Sequence, residues 1–90
     1  MEERAIVLAR VRSALQSVLG DKRIVVQPEH HLVDDLGLDS ANVASLTIAL
    51  EDEFNEVLLL NDWIASASSP SDLTVDSLVD YLLELLAEEG

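Results

Sequence analysis

The chain has 90 residues, 49% of them apolar but only 3% aromatic, with 18 acidic side chains against 5 basic ones and a formal net charge of −13. One domain over residues 1–90 is all that this length supports, with no room for a second layer around an enclosed catalytic cavity. The apolar content excludes disorder, the charge excludes nucleic acid and anionic lipid as partners, and the absence of Cys removes disulfides, thiolate nucleophiles and Cys-bound metal.

So negative a surface instead favours protein partners with basic or mixed docking patches. The N-terminus, Met1-Glu2-Glu3-Arg4, lacks the basic stretch and apolar run of a secretory leader, and no apolar run reaches the length of a membrane span. A soluble, cytoplasmic, monomeric protein without membrane insertion is expected. The start at Met1 without flanking linkers favours a stand-alone chain.

From about Glu3 to Leu19, Val7, Val11, Ala14, Leu15 and Val18 recur at helical steps. Arg4, Arg10, Arg12 and Gln16 take much of the remainder, and Gly20 supplies a C-terminal stop. The stretch from Asp21 to Asp39 contains Pro28, His30 and His31 and shows no sustained periodicity, so it reads as a long ordered loop. Such a loop is uncommon in a compact domain unless functional or anchored. Ile24, Val25, Val26, Leu32, Leu36 and Leu38 are available as anchors.

Between Ser40 and about Glu56, Val43, Leu46, Leu50 and Phe54 mark a second helix, with Asp39 or Ser40 as its N-cap. Glu51, Asp52, Glu53 and Glu56 gather at its far end, the wrong end for the helix dipole, at a cost of about a few tenths of a kcal/mol each. That local cost points to a surface kept for partners. A short helix is expected around Asn61 to Ala65, closed by the Ser-rich turn Ser66 to Ser71 with Pro70. Trp63, the only Trp, lies in it and reads as a core filler before a ligand platform.

In the last helix Thr74 caps, Asp76 suits the first turn, and Leu73 staples onto Leu78. Val75, Leu78, Val79, Leu82 and Leu86 then form one stripe. With no strand alternation or repeat, the expected fold is all-α: a small antiparallel four-helix bundle of three longer helices and one short one.

The most informative segment is Asp34-Asp35-Leu36-Gly37-Leu38-Asp39-Ser40, where the loop meets the second helix. Gly37 permits a positive-φ turn, and the Ser40 hydroxyl stands at an exposed corner. On local physics alone, Asp39 and Ser40 are a capping pair. A hydrolase nucleophile at Ser40 lacks the Gly-x-Ser-x-Gly elbow and a substrate cleft, leaving only His30 or His31 as bases. Those two histidines are adjacent, so their side chains diverge, and no H-E-x-x-H accompanies them; no metal site is expected. The acids also lack the spacing of a calcium loop.

The run Asp35-Leu36-Gly37-Leu38-Asp39-Ser40, followed by an acidic amphipathic helix with Leu46, Glu51, Glu53 and Phe54, resembles the signature of acyl carrier proteins. The likeness spans nearly the whole chain in length, acidity and helix order. It implies that a Mg²⁺-dependent phosphopantetheinyl transferase moves 4′-phosphopantetheine from coenzyme A onto the Ser40 oxygen. It further implies that the chain is a carrier and not an enzyme: acyl groups ride as thioesters on the thiol of the arm, delivered by acyl-loading and acyl-processing enzymes of fatty acid, polyketide or related specialised biosynthesis. Val43, Leu46, Ile64 and Leu78 become candidates for lining an acyl pocket, or else simple core.

The resemblance also points to Leu38, Asp39, Ala41, Ala44, Ser45, Ile48, Glu51 and Asp52 as the recognition surface. Two features depart from the family. Ala41 stands where Leu is common, and Ala41, Ala44, Ser45 and Ile48 share a helical face on which only Asp52 is charged, which favours a dedicated partner set. The Gly-Gly-His-Ser form usual in peptidyl carriers is missing, although some aminoacyl carriers share the Asp-Ser form. The other alternative is an acidic helical interaction module that keeps the fold without the arm.

Overall fold

The computed structural model describes residues 2–21, 23–69 and 73–89. Helices run over Glu2–Leu19 (α1), Ser40–Phe54 (α2), Leu60–Ser66 (α3) and Val75–Glu89 (α4), and among the described residues the one β-type pairing is an isolated bridge between His31 and Thr74. The expected all-α bundle of three longer helices and a short one is therefore present. Its radius of gyration, 12.1 Å, is that of a compact domain of this length, about 12 Å.

Each helix ends for a local reason. Gly20 sits at φ +73° past the last residue of α1, where its N–H donates to Ser17 O and that of Asp21 donates to Gln16 O, the double closure of a Schellman turn. At the end of α2, Asn55 takes the left-handed conformation (φ 55°, ψ 44°) that a short polar side chain tolerates, and its N–H donates to Glu51 O. Leu59 begins α3 without a side-chain cap, and the helix extends one residue beyond the expected 61–65 at each end. Pro70 and Ser71 of the predicted turn lie outside the described residues.

Thr74 caps α4 as expected, and it does so reciprocally. The Ser77 N–H donates to Thr74 Oγ1 (3.1 Å) while the Thr74 N–H donates to Ser77 Oγ (2.8 Å). Leu73 and Leu78 line one pocket, as a staple requires.

The predicted stripes face inward. Val7, Val11, Ala14 and Leu15 of α1, Val43, Leu46 and Leu50 of α2, Leu60 of α3, and Val75, Leu78, Val79 and Leu82 of α4 are buried together with Val26, Leu32, Leu38 and Leu58. Among the described residues no polar side chain is fully buried, so hydrophobic burial alone holds the centre.

The long loop is anchored by more than its apolar residues. Arg12 Nε donates to Val26 O (2.8 Å) and Gln16 Nε2 to Ile24 O (3.0 Å), so the loop runs back along α1 with residue 24 beside 16 and residue 26 beside 12. Val25 is not the anchor it was expected to be. In this extended stretch it points away from the side that buries Val26, and it is 68% exposed. Farther on, the carbonyls of Pro28 and His30 accept from the N–H groups of Asp76 and Val75, and the Leu32 N–H donates to Leu73 O. The loop thereby binds the start of α4.

Ion pairs from α1 complete the frame. Arg4 bridges Asp76 and Asp80 on α4, whose hydrogen bonds, that of Asp80 foremost, raise its pKa further. Arg10 pairs with Glu53 at 2.9 Å and lies over the Phe54 ring, 5.8 Å from its centroid. These pairs are exposed, so they set register more than stability. Replacing Leu50, which is 0% exposed, by Ala is expected to cost about 2–5 kcal/mol in urea unfolding.

Candidate functional site

The loop-to-helix corner is built by a chain of backbone bonds. The N–H groups of Asp35 and Leu36 donate to His31 O, that of Gly37 to Val33 O and that of Leu38 to Leu32 O, winding residues 31–38 into consecutive turns. Gly37 takes the positive φ that the turn needs, +68°, where a side chain would be strained. Asp35 fastens the start of this coil: the His31 N–H donates to its Oδ2 (2.7 Å), and His31 Nδ1 lies 3.1 Å from the same oxygen. The backbone hydrogen bond first, and the imidazole second, hold the Asp35 carboxyl below its ordinary range.

Asp39, not Ser40, is the N-cap of α2. Its Oδ1 accepts from the Asn42 N–H (2.8 Å), while Asn42 Oδ1 accepts from the Asp39 N–H (3.2 Å), a capping box with Asn in the returning position. Ser40 is left as the first residue of the helix, exposed, with no hydrogen bond to its hydroxyl among the described residues. The capping reading of the Asp-Ser pair therefore applies to Asp39 alone.

The two long helices that follow loops differ at their N-termini. In α4 the loop carbonyls and the Thr74 cap occupy the N–H groups of Val75, Asp76 and Ser77. In α2 the N–H groups of Ser40 and Ala41 have no partner among the described residues, and no acid stands in the first turn. This leaves two amide donors, the positive end of a 15-residue helix and a free hydroxyl side by side. Such an arrangement suits a phosphate ester on Ser40.

Val43, Leu46, Ile64 and Leu78 all line one pocket, together with Leu32, Val33, Leu38, Leu60, Trp63 and Leu73. The lining is entirely apolar, and the open space is about 20 Å³, little more than a single water needs. The pocket lies close to Ser40 along the chain, since Leu38 and Val43 bracket that residue. Trp63 contributes to this lining and stacks on Tyr81, with ring centroids 5.3 Å apart and planes inclined by 25°.

Leu38 does not belong with the surface residues it was grouped with. Buried at 5% exposure, it faces the pocket, because the coil that presents Asp39 and Ser40 outward turns the preceding residue inward. Glu51 is half-buried and only partly available, for its Oε2 accepts from the Leu58 N–H (3.0 Å) and braces the segment after α2. Asp39, Ala41, Ala44, Ser45, Ile48 and Asp52 are exposed, with Ile48 at 67%. Val57 and Leu59, beyond the end of α2, add further exposed apolar surface at 77% and 60%. The histidines work within the loop, His30 Nδ1 accepting from the Gln27 N–H and His31 contacting Asp35.

Asn42 and Tyr81 are the residues that sequence reasoning passed over. The Asp-x-x-Asn spacing at 39 and 42 is a capping-box pattern and was readable; the Trp63–Tyr81 stack, between two helices, left no local trace.

A family model described as the phosphopantetheine attachment site matches residues 9–82. No solved structure matches the chain.

Asp39→Ala is expected to cost about 1 kcal/mol in chemical unfolding, whereas Ser40→Ala changes stability by less than about 0.5 kcal/mol. The lowered Asp35 pKa stabilises the fold above the ordinary carboxylate range, and this contribution disappears as pH falls through the lowered value. Urea midpoints of Asp35→Asn should therefore lie below wild type at neutral pH and converge with it in strong acid.

Proposed function

The chain belongs to the phosphopantetheine-attachment family, and from that premise we propose that it is a carrier protein modified on Ser40. Members of the family hold 4′-phosphopantetheine covalently on a serine, and carrier domains of this kind are non-catalytic. The observation that supports Ser40 is the transfer of capping to Asp39 and Asn42, which leaves its hydroxyl exposed and unbonded at the helix corner. Two other serines are engaged: Ser77 in the cap of α4 and Ser66 in a bond to Trp63 O.

In attachment, Ser40 Oγ bonds to the β-phosphorus of coenzyme A as the pyrophosphate bond breaks. Adenosine bisphosphate leaves, and the hydroxyl proton passes to a base of the transferase. Once bound, the arm supplies a terminal thiol that holds acyl groups as thioesters, chemistry that a chain without Cys lacks. The residues of the protein have the simpler task of holding the phosphodiester at the N-terminus of α2, where the Ser40 and Ala41 N–H groups and the helix dipole favour its charge.

The cargo we assign is an acyl intermediate of fatty acid, polyketide or related specialised biosynthesis. Recognition by the transferase and by acyl-loading and acyl-processing enzymes falls to Asp39, Ala41, Ala44, Ser45, Ile48 and Asp52, with Glu51 at the margin. All five Lys and Arg residues lie within the first 23 positions, so α2 and everything after it carry no cation of their own. Basic groups on a partner meet no repulsion there. The small and apolar centre of this face favours a dedicated partner set over general fatty acid synthesis.

Incubation with coenzyme A, Mg²⁺ and a broad-specificity transferase should add one phosphopantetheine by intact mass. Ser40→Ala should stay unmodified; an unchanged wild-type mass would instead support an interaction module without the arm. The double substitution Ala41→Leu and Ser45→Glu should slow turnover with the cognate enzymes and improve it with general fatty-acid enzymes. Unchanged rates with both would contradict a dedicated face.

A further inference from the structure

The buried stripe of α4 runs past the core that it serves. Val75, Leu78, Val79 and Leu82 are at most 1% exposed, yet Leu86, one turn further along the same stripe, is only partly covered, as is Leu83 beside it. Both line a groove between α1, the end of α2 and α4, whose other walls include Ile6, Arg10, Glu53 and Phe54. It holds about 1040 Å³ of empty space, its open mouth included. Ile6 stands in it 52% exposed, the most exposed large apolar side chain of α1.

The groove is apolar in effect as well as in lining. Its charged members among the described residues, Arg10 and Glu53, pair with each other at 2.9 Å, and the guanidinium lies over the Phe54 ring. No unmatched charge is left inside to orient a polar ligand. Acids stand at the ends of the helices that frame it: α1 begins with Glu2 and Glu3, one turn before Ile6, and α4 carries the exposed Glu84 and finishes with Glu88 and Glu89. Phe54 closes the 15-residue α2 that Ser40 opens, which sets the groove about 21 Å along the helix from that serine.

We propose that this groove is a second docking site, which takes a short amphipathic helix of a partner protein with Leu-like side chains on one face and Lys or Arg at its flanks. Apolar side chains laid into an open groove between helices drive such binding, and charge selects among candidates. A second copy of the chain brings a net charge of −13 against −13, so repulsion opposes self-association through this face. Basic flanks meet the terminal glutamates and Glu84 instead. Because the groove and Ser40 stand at opposite ends of α2, a partner held here leaves the serine corner open. The docking site goes beyond the carrier reading and does not depend on Ser40 being modified.

The probe is a fluorescently labelled amphipathic peptide of Leu and Lys, with a second peptide carrying Glu in place of every Lys, each titrated into the full chain and read by anisotropy. The Lys peptide should bind and the Glu peptide should not. Ile6→Gln, a neutral change at an exposed position, should weaken binding about fivefold, while Ile48→Gln on the exposed face of α2 changes it less than twofold. Backbone amide NMR shifts on adding the peptide should gather at residues 6–10, 53–54 and 83–87 and leave 40–48 in place. No binding of the Lys peptide, an affinity indifferent to Ile6→Gln, or shifts centred on 40–48 would overturn the second site. A dimer of the free chain in sedimentation that Ile6→Gln dissolves would give the groove to a second copy and overturn the partner helix.

Discussion

The reciprocal hydrogen bonds between Asp39 and Asn42 decide what the rest of the molecule can offer. A helix N-terminus takes its cap from whichever short polar residue stands at the boundary, and here two such residues are adjacent. Because Asn42 reaches back to the Asp39 backbone, Asp39 becomes the cap and Ser40 the first helical residue. A shift of one position would give the Ser40 hydroxyl to the backbone and leave the corner without a free nucleophile. The coil from His31 to Leu38, with its positive-φ Gly37 and its buried Leu38, holds that register from the loop side.

Charge is distributed along the same lines. Arg4 and Arg10 bind α1 to α4 and α2, and Arg12 holds the loop. Three of the five cations of the chain thus lie on α1 and are spent on holding the fold. Past position 23 the chain itself adds no Lys or Arg, so the acids there that Arg4 and Arg10 do not pair form an acidic surface that suits encounter with basic partners and is sensitive to salt. On the exposed face of α2 the side chains of Ala41, Ala44, Ser45 and Ile48 are small or apolar, which is why we propose that face for a dedicated partner set.

The stripes Val7, Val11, Ala14, Leu15 and Val75, Leu78, Val79, Leu82 were legible because helical burial repeats at a fixed interval, and Gly20 and Thr74 because helix ends have their own chemistry. The choice between Asp39 and Ser40 stayed open because either side chain can cap, although the residue that decides it, Asn42, stands at the spacing of a capping box and could have been read. Leu38 was misplaced for a related reason: its neighbours face solvent, and only the coil before it turns it inward. Arg12 and Gln16 read as part of the polar side of a helix, yet both reach loop carbonyls, a role for which side-chain type carries no signature. Val43, Leu46, Ile64 and Leu78 line one pocket, and the stack of Trp63 on Tyr81 joins α3 to α4, a contact between helices that no local pattern marks.

The capping box leaves the Ser40 hydroxyl free, and we propose that serine as the one that takes the arm. Peptide mapping by mass spectrometry of the protein isolated from its native cells tests it most directly. Phosphopantetheine, with or without an acyl group, is expected on Ser40 and on no other serine. An unmodified Ser40, or an arm carried on a different serine, would contradict it.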